Sequence, residues 1–570
     1  MVFDTESVTV GQYVGPYLSG FYDGKSVTHF YSKKVSVESH RDFFFEYLES
    51  ILERDTVIIL WGHNIEWDFG QLFSDSWGLL DGDSLKVELM DNQREMEIIF
   101  SQPCFGHYSK NRDSHYKILF RDTFAFFKTS LEKLSQKIGG RAKLTPPPGL
   151  GKRKIPWEEI RPYFLADLHS TYDAANYLTE RFVEHGLPSV PVSIPHFAST
   201  VFRKSLTVEL ERFPEPKLAM SSYFGGKTRC FPGLYENMNC YDVNSEYPWA
   251  MQQLPKLCCG TYQTVSNYQG PWGVYILKDY EYRPCEYGTL YHSKIKVKNE
   301  TLKFLEKPIP DLIVNGFDIE SAFYCHSLKI HKCVGWIWKP SPCDHPNVFF
   351  DYVQRFYLLR NQAKKAGNDI FSEYYKLMMN SLYGKFSQLR YNPKKLGWQP
   401  GTLFDPLVAG WITGLGRMRI HEYEHLANSV YTSTDSLITS QTLPTSDKLG
   451  ELKHEFFAKW VVILRSKVYF AFDDKFNLLK CALHGIQGQT PLSVLKAMAF
   501  SAKTVTRKKL IKRKEGIRRN ITTGRQINRK QSLETLEITP AQRDILKKGY
   551  YQSIDSTITP VIEVTGYSKG

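Results

Sequence analysis

At 570 residues the chain is too long for a single hydrophobic core, and about three to four domains are expected. Hydrophobic residues make up 42% and charged residues 23%, with no signal-peptide pattern and no apolar run of about 18 residues, which argues against a membrane-spanning or secreted chain. The formal charge of +13 is uneven: Lys503 to Lys530 holds twelve Lys and Arg against Glu515 alone, a concentration that favours a polyanion partner and salt-dependent binding.

The N-terminal third supplies four carboxylates. Asp4 and Glu6 are two residues apart on a predicted strand and so share a face. Only Met1 to Phe3 precede Asp4, so this strand is expected to be very short, with a segment missing upstream or a late start. Val57 to Trp61 reads as a buried strand, and Asp68 follows it. A helix is expected from about Pro162, suited to a first helical position, to Glu184; Tyr163 and Asp167 lie one turn apart on it. A lone Asp-x-Glu is usually surface charge. Four carboxylates converging would instead hold two Mg²⁺ or Mn²⁺ ions for phosphodiester hydrolysis, with Tyr163 orienting the water. His169-x3-Asp173 is a rival register for the last pair. Pro188 to Pro195 reads as a linker.

Ser222-Tyr223-Phe224-Gly225-Gly226 follows, where paired glycines allow close backbone approach to a phosphate or simply make a turn. In Tyr241-Asp242-Val-Asn-Ser-Glu-Tyr247-Pro248, Asp242 is expected at a strand end, with Pro248 turning the chain. Arg360 and Lys364 offer charge for phosphates. Lys376, Asn380 and Tyr383 recur on one helix face, offering a cation for a triphosphate, an amide and a ring for a base; Gly384 suits the helix stop. Tyr431, Ser433 and Asp435 are expected to alternate onto one strand face, making Asp435 the second metal ligand beside Asp242. The ten cysteines form no Cys-x-x-Cys pair, and Cys325, Cys333, Cys343 and His345 fit no zinc spacing; reduced thiols in a cytoplasmic or other reducing compartment, a plasmid-bearing mitochondrion included, are expected.

Asp242-x2-Ser245-x-Tyr247-Pro248, Lys376-x3-Asn380-Ser381-x-Tyr383-Gly384 and Tyr431-x-Ser433-Thr434-Asp435 resemble, in order, the three polymerase motifs of family B DNA polymerases. Asp4-x-Glu6, Asn64-x2-Trp67-Asp68 and Tyr163-x3-Asp167 resemble their three exonuclease motifs. The length and Tyr-x-Gly-Gly are similar to the protein-primed branch of phages, adenoviruses and linear plasmids. The resemblance implies a multidomain α/β and α+β chain: an RNase H-like 3′–5′ exonuclease domain plus a right-hand polymerase of palm, fingers and thumb, with insertions. The implied division is exonuclease 1–187, palm 188–258 and 407–500, terminal-protein-type insertion 259–346, fingers 347–386, short second insertion 387–406 and basic thumb 501–570.

It also implies roles. Asp242 and Asp435 hold metal, as do Asp4, Glu6, Asp68 and Asp167, two ions per site. Tyr247 excludes a 2′-hydroxyl; Arg360, Lys364, Lys376, Asn380, Tyr383 and Gly384 contact the nucleotide. Tyr223, Gly225, Gly226, Asn64, Ser130, Leu131, Lys467 and Tyr469 contact DNA. The implied partners of this expected monomer are template-primer DNA, deoxynucleoside triphosphates and a terminal protein primer. The family's third polymerase motif carries Asp where Ser433 stands, a lost charge near the metals. Primer-independent synthesis and a non-catalytic nucleic-acid binder are the alternatives.

Overall fold

A computed structural model of the chain describes residues 1–10, 13–51, 56–72, 80–81, 84–88, 94–99, 105–110, 116–187, 190–291, 304–392, 397–483, 491–500, 506–507, 531–532 and 538–555. The chain divides into two compact units: Met1–Val201 with Leu359–Met378 and Leu510–Ile527, and Phe202–Leu358 with Met379–Lys509 and Asn528–Gly570.

In the first unit, strands β1 (Val2–Val10), β2 (Tyr13–Tyr22), β3 (Val27–Tyr31), β4 (Thr56–Gly62), β5 (Leu80–Asp81), β6 (Ser84–Glu88), β7 (Arg94–Ile99), β8 (Phe105–Lys110) and β9 (Tyr116–Asp122) form one mixed sheet. Its order is β3-β2-β1-β4-β9-β8-β7-β6-β5, with β1 antiparallel to β2 and parallel to β4. Alternation along β1 sends Phe3 into a core with Phe21, Phe44, Leu60, Ile65 and Phe120, and leaves Asp4 and Glu6 to the other face. The first strand is nine residues long, not very short: β2 pairs it well past Glu6. A register shift between Glu6 and Ser7 re-aims the strand just after the second carboxylate.

Helix α1 (Val37–Ile51) buries Phe44, Phe45 and Leu48 against this sheet, and α2 (Ile65–Leu72) follows β4. After α3 (Leu131–Ile138), the long helix α4 (Trp157–Glu184) starts five residues before the expected Pro162. Pro156 forms its N-terminus, accepting from Glu159 and Ile160 N–H, and Glu158 and Glu159 complement the dipole of the first turn; Pro162 sits inside the helix. The expected linker is not a unit boundary. Residues 188 and 189 lie outside the described residues, α5 (Ile194–Ser205) begins within it, and Phe197 packs on Phe182 at 5.0 Å. The division falls after Val201 instead.

In the second unit α6 (Pro216–Ser222) leads into a sheet of β10 (Thr228–Cys230), β11 (Gly233–Val243), β18 (Tyr431–Ser433), β19 (Ser436–Thr439), β20 (Leu452–Arg465), β21 (Val468–Phe472) and β22 (Leu478–Leu483), in the order β10-β18-β19-β11-β20-β21-β22. Helix α11 (Pro406–Ala427), buried along most of its length, packs Ile420 and Ala427 against Tyr241, Val243 and Leu437 of this sheet. A separate sheet of β12 (Gly260–Val265), β13 (Gly273–Tyr282), β14 (Leu312–Asn315) and β15 (Leu328–Pro340), ordered β12-β15-β13-β14, carries α8 (Gly316–Tyr324) and has its own core around Tyr275, Leu277, Ile319 and Ile337. It occupies the stretch expected as the larger insertion. β16 (Leu389–Asn392) and β17 (Gly397–Pro400) form a two-stranded sheet in the place of the short one.

Arg417 of α11 ties these parts together. Its guanidinium forks onto Asp318 of α8 (Nε to Oδ1 2.9 Å, a terminal nitrogen to Oδ2 2.8 Å) and donates to the Phe224 and Gly225 carbonyls. Both charges are buried, so removing one strands the other. Arg417→Ala should lower the unfolding free energy by about 3–5 kcal/mol, read from denaturant midpoints; a loss under about 1 kcal/mol would remove this tie as a determinant of the fold.

Helices Pro491–Phe500 and Pro540–Asp555 share a core on β20–β22 through Leu495, Met498, Ile545 and Leu546. The basic run Lys503–Lys530 lies outside the described residues except Thr506–Arg507, which pair with Gln531–Ser532. Helices α9 (Val348–Lys365) and α10 (Asp369–Leu382) each run from one unit into the other, so 347–386 does not fall within a single unit.

Candidate active sites

In the first unit one carboxylate oxygen each from Asp4, Glu6 and Asp167 lie within 4.8 Å of one another. The sheet and α4 position them: Asp4 and Glu6 come from one face of β1, and Asp167 from a buried position on α4. Asp68, on α2 just after β4, joins through Thr5, whose N–H (3.0 Å) and hydroxyl (2.7 Å) both donate to Asp68 Oδ1. Asp167, not Asp173, takes part; Asp173 is held by Arg141 at 2.6 Å. Tyr163 is buried one turn before Asp167. Lys143, which no sequence spacing singles out, reaches Asp167 Oδ2 at 2.9 Å and lies over the Tyr163 ring at 5.4 Å.

Burial, then the neighbouring acids, push Asp4 well above the carboxylate range; burial and Asp167 lift Glu6 to about 8, and burial lifts Asp68 to about 7. Asp167 is raised by burial, opposed by Lys143, and its Oδ1 is buried without a partner. Crowded, dehydrated oxygen donors of this kind fit a hard divalent cation.

A pH dependence follows. These acids hold protons more tightly folded than unfolded, so the stability they contribute is full at low pH and is lost as pH climbs from about 4, the ordinary range, through the raised values near 7 and 8. In chelator, the melting temperature should fall between pH 5 and 8 more steeply for the parent than for Asp4→Asn/Glu6→Gln. Mg²⁺ should restore more at pH 8 than at pH 5. Equal slopes would contradict the coupling.

Asn64 is exposed in a left-handed conformation (φ 65°), its N–H donating to Asp122 at 2.8 Å. The exposed Ser130 uses its hydroxyl to cap α3, and Leu131 is buried beneath it. Arg360 is buried, Lys364 exposed, and Lys376 half-buried with Glu373 at 3.8 Å.

In the second unit Asp242 sits near the end of β11, paired in register with Ser436 of β19. Asp435 lies one residue before Ser436, in the turn Thr434–Asp435 that joins β18 to β19; it does not alternate with Tyr431 and Ser433 on one strand. The turn forces β-branched Thr434 to φ 61°, a strained value, and backbone bonds hold it there: Thr434 N–H to Lys227 carbonyl at 2.7 Å and Val243 N–H to Asp435 carbonyl at 2.6 Å. The second bond locks the two carboxylate-bearing segments together. Pro248 falls in the first turn of α7 (Glu246–Gln253), where its missing N–H costs nothing.

Tyr247 and Tyr383 face each other with ring centroids 4.5 Å apart. Tyr383 lies in a 3₁₀ turn, Tyr383–Lys385, after α10 ends at Leu382, so Gly384 sits inside that turn and is not a left-handed stop. Asn380 keeps its Oδ1 buried and unpartnered. Gly226 passes so close that a Cβ would meet Thr434 Cγ2 at 2.6 Å and the Tyr247 hydroxyl at 2.9 Å, so this glycine is required by packing; Gly225 has open space, and Tyr223 is half-buried. Lys467 occupies the β20–β21 turn at φ 59°, and Tyr469 is buried with its ring 5.1 Å from Tyr431.

A further acid carries no signal in the sequence. Glu246 is buried, its Oε1 unpartnered, and burial, Asp435 and Asp242 together raise its carboxyl well above the usual range. A glycine at 416 makes room for it, since a Cβ there would lie 3.0 Å from the Glu246 carboxyl. Three acids therefore share this site although Ser433 carries no charge.

Residues 191–395 match the family described as DNA polymerase type B, organellar and viral. A DNA polymerase of Acidianus bottle-shaped virus (isolate Italy/Pozzuoli) is 27% identical over 324 residues, covering 54% of this chain and 47% of that protein. The DNA-directed DNA polymerase of Enterobacteria phage PRD1 is 28% identical over 191 residues, 30% of this chain and 29% of its own. This chain thus spans less than half of those relatives. Among solved structures, Phi29 DNA polymerase complexed with primer-template DNA and incoming nucleotide superimposes with a TM-score of 0.60 at 15% identity, covering 89% of this chain and 95% of that one. The chain is therefore similar to the type B DNA polymerases of organelles and viruses over residues 191–395, and it has the fold of a phage polymerase.

Proposed function

We propose that the protein is a DNA-directed DNA polymerase with a 3′–5′ proofreading exonuclease, acting in protein-primed replication of a viral or plasmid genome. The observation that carries the reading is the grouping of Asp242, Glu246 and Asp435 at one end of the sheet beside the Tyr247–Tyr383 pair. The relatives' names and the Phi29 complexes with primer-template DNA and nucleotide support the substrates.

Asp242 and Asp435, with Glu246, would hold Mg²⁺ or Mn²⁺ in one site, and Asp4, Glu6, Asp68 and Asp167 in the other. Such ions lower the pKa of an attacking hydroxyl or water and stabilise charge on the transferring phosphoryl group. The chain's own groups do the rest. The Val243–Asp435 backbone bond keeps the acids from separating, and Tyr383 packs against the base while Tyr247 walls the sugar. Lys376, Arg360 and Lys364 supply cations for the triphosphate. In the exonuclease site Tyr163 orients water, and Lys143 offsets the negative charge at Asp167. The basic run to Lys530 grips phosphates without reading bases.

The test is incorporation on a labelled primer-template. The parent extends with deoxynucleotides only. Tyr247→Ala removes the wall and should admit ribonucleotides at least about tenfold better, a shift of about 1.4 kcal/mol in discrimination. Unchanged sugar selectivity would remove Tyr247 from this role. Covalent transfer of a deoxynucleotide to a protein hydroxyl, assayed with candidate terminal proteins from the same genome, tests the priming mode.

A further inference from the structure

The described residues hold a four-donor group that neither proposed active site uses. One donor atom each from Cys285, Cys325, His421 and His425 lie within 4.8 Å of one another. The donors come from three places. Cys285 follows β13, Cys325 caps the C-terminus of α8, and the two histidines stand one turn apart on α11. Their ring centroids are 4.6 Å apart. His421 is 1% exposed, and Nε2 of both rings is buried without a hydrogen-bond partner. An unpaired buried nitrogen costs free energy, and two of them in one cluster with two thiols call for a ligand.

We propose that Cys285, Cys325, His421 and His425 bind one structural Zn²⁺ that fastens the β12–β15 insertion to α11.

Two thiols and two imidazoles are a soft and borderline donor set, suited to zinc and unlike the all-oxygen sets expected to hold Mg²⁺. Zinc–sulfur and zinc–nitrogen bonds of about 2.3 and 2.0 Å give tetrahedral donor edges of roughly 3.3–3.8 Å. Donors already within 4.8 Å need only a small inward movement. Four protein ligands leave no open position, which makes the site structural. Charge also balances: two thiolates cancel the dication, so loading adds nothing to the neighbouring buried pair, Lys227 and Glu424. The Glu424 carboxylate, 3.4 Å from His421 Nδ1, can accept the hydrogen bond that Nδ1–H donates when Nε2 binds metal. Lys227 Nζ, 2.8 Å from the same Nδ1, gives way to Glu424 in that state.

A loaded site would lie beside the Asp318–Arg417 fork, making two clamps between the same two elements. Cys333, considered beside Cys325 in the sequence, is a core residue of β15. Cys343 and His345 lie in a different group, with Cys258 and Cys259, more open to solvent.

The test uses the full chain, purified reduced and with zinc present, and elemental analysis. The Cys285→Ser/Cys325→Ser variant should carry one zinc equivalent fewer than the parent. Cys259→Ser/Cys343→Ser serves as the reference for the other group, and its content should still fall by one when the first pair is added. Metal-free parent titrated with Co²⁺ should show tetrahedral ligand-field bands and a thiolate charge-transfer band. His425→Gln, which keeps both thiols, should alter those bands. A strong chelator should lower the melting temperature of the parent but not of the Cys285→Ser/Cys325→Ser variant. Equal zinc content in parent and double variant, or reduced parent that takes up no metal, would overturn the proposal.

Discussion

Asp435→Asn should lower primer extension by about 10³-fold or more while leaving 3′-shortening of the same primer intact. Losing one carboxylate from a metal clamp removes several kcal/mol of charge stabilisation, and each 1.4 kcal/mol is about tenfold in rate. The replacement is isosteric, and the contacts that shape the turn are backbone ones, Thr434 N–H to Lys227 and Asp435 carbonyl to Val243. The fold should therefore survive, and the loss should be chemical. Glu246 sharpens the prediction. Its carboxyl is raised partly by Asp435, so the variant relieves repulsion and should melt no lower than the parent. Single-turnover extension, with melting measured alongside, is the check; extension within about tenfold of the parent would show that Asp435 is not a ligand.

Asp4→Ala should have the opposite selectivity. Shortening of a primer in the absence of nucleotides should fall by about 10³-fold, and extension should continue at close to the parent rate. Asp4, Glu6 and Asp167 share one donor cluster, and Asp4 is the acid on which most of its neighbours act. Burial and three like charges crowd it, so its removal should also raise the melting temperature in chelator at pH 8. Lower stability together with loss of both activities would mean that Asp4 is a structural residue. The two substitutions lie in separate compact units, so each readout is internally controlled by the other.

Both carboxylate sets are legible as residues in the amino-acid sequence, because a catalytic acid must stand at a strand end or a helix face and such positions leave period-two and period-four spacings. Asp4, Glu6, Asp167, Asp242 and Asp435 all fall in or beside such elements. Spacing does not reveal the backbone around them. Asp435 lies in a strained turn because the hairpin needs its two central residues there, and alternation reads the same six letters as strand. The start of α4 is misread because Pro162 looks like a first residue, whereas Pro156 and two following glutamates make the stronger start. Thr5, Lys143 and Glu246 escape sequence reasoning because each acts through contacts distant in the chain: Thr5 bonds a residue 63 positions away. Gly416 and Gly226 are legible only as neighbours of Glu246 and Tyr247. The Cys/His group is hidden for the same reason. Its donors span Cys285 to His425, and its one local signal, His421-x3-His425, is too common on helices to stand out.

The most direct measurement of the central claim is a labelled primer on a longer template with Mg²⁺, incubated with the unaltered protein with and without deoxynucleotides. The account predicts lengthening to the template end when nucleotides are present and stepwise shortening from the 3′ end when they are absent, both abolished by chelator. A primer unchanged in length under both conditions, with the protein folded and bound to the DNA, would contradict it and leave a nucleic-acid-binding relative without chemistry.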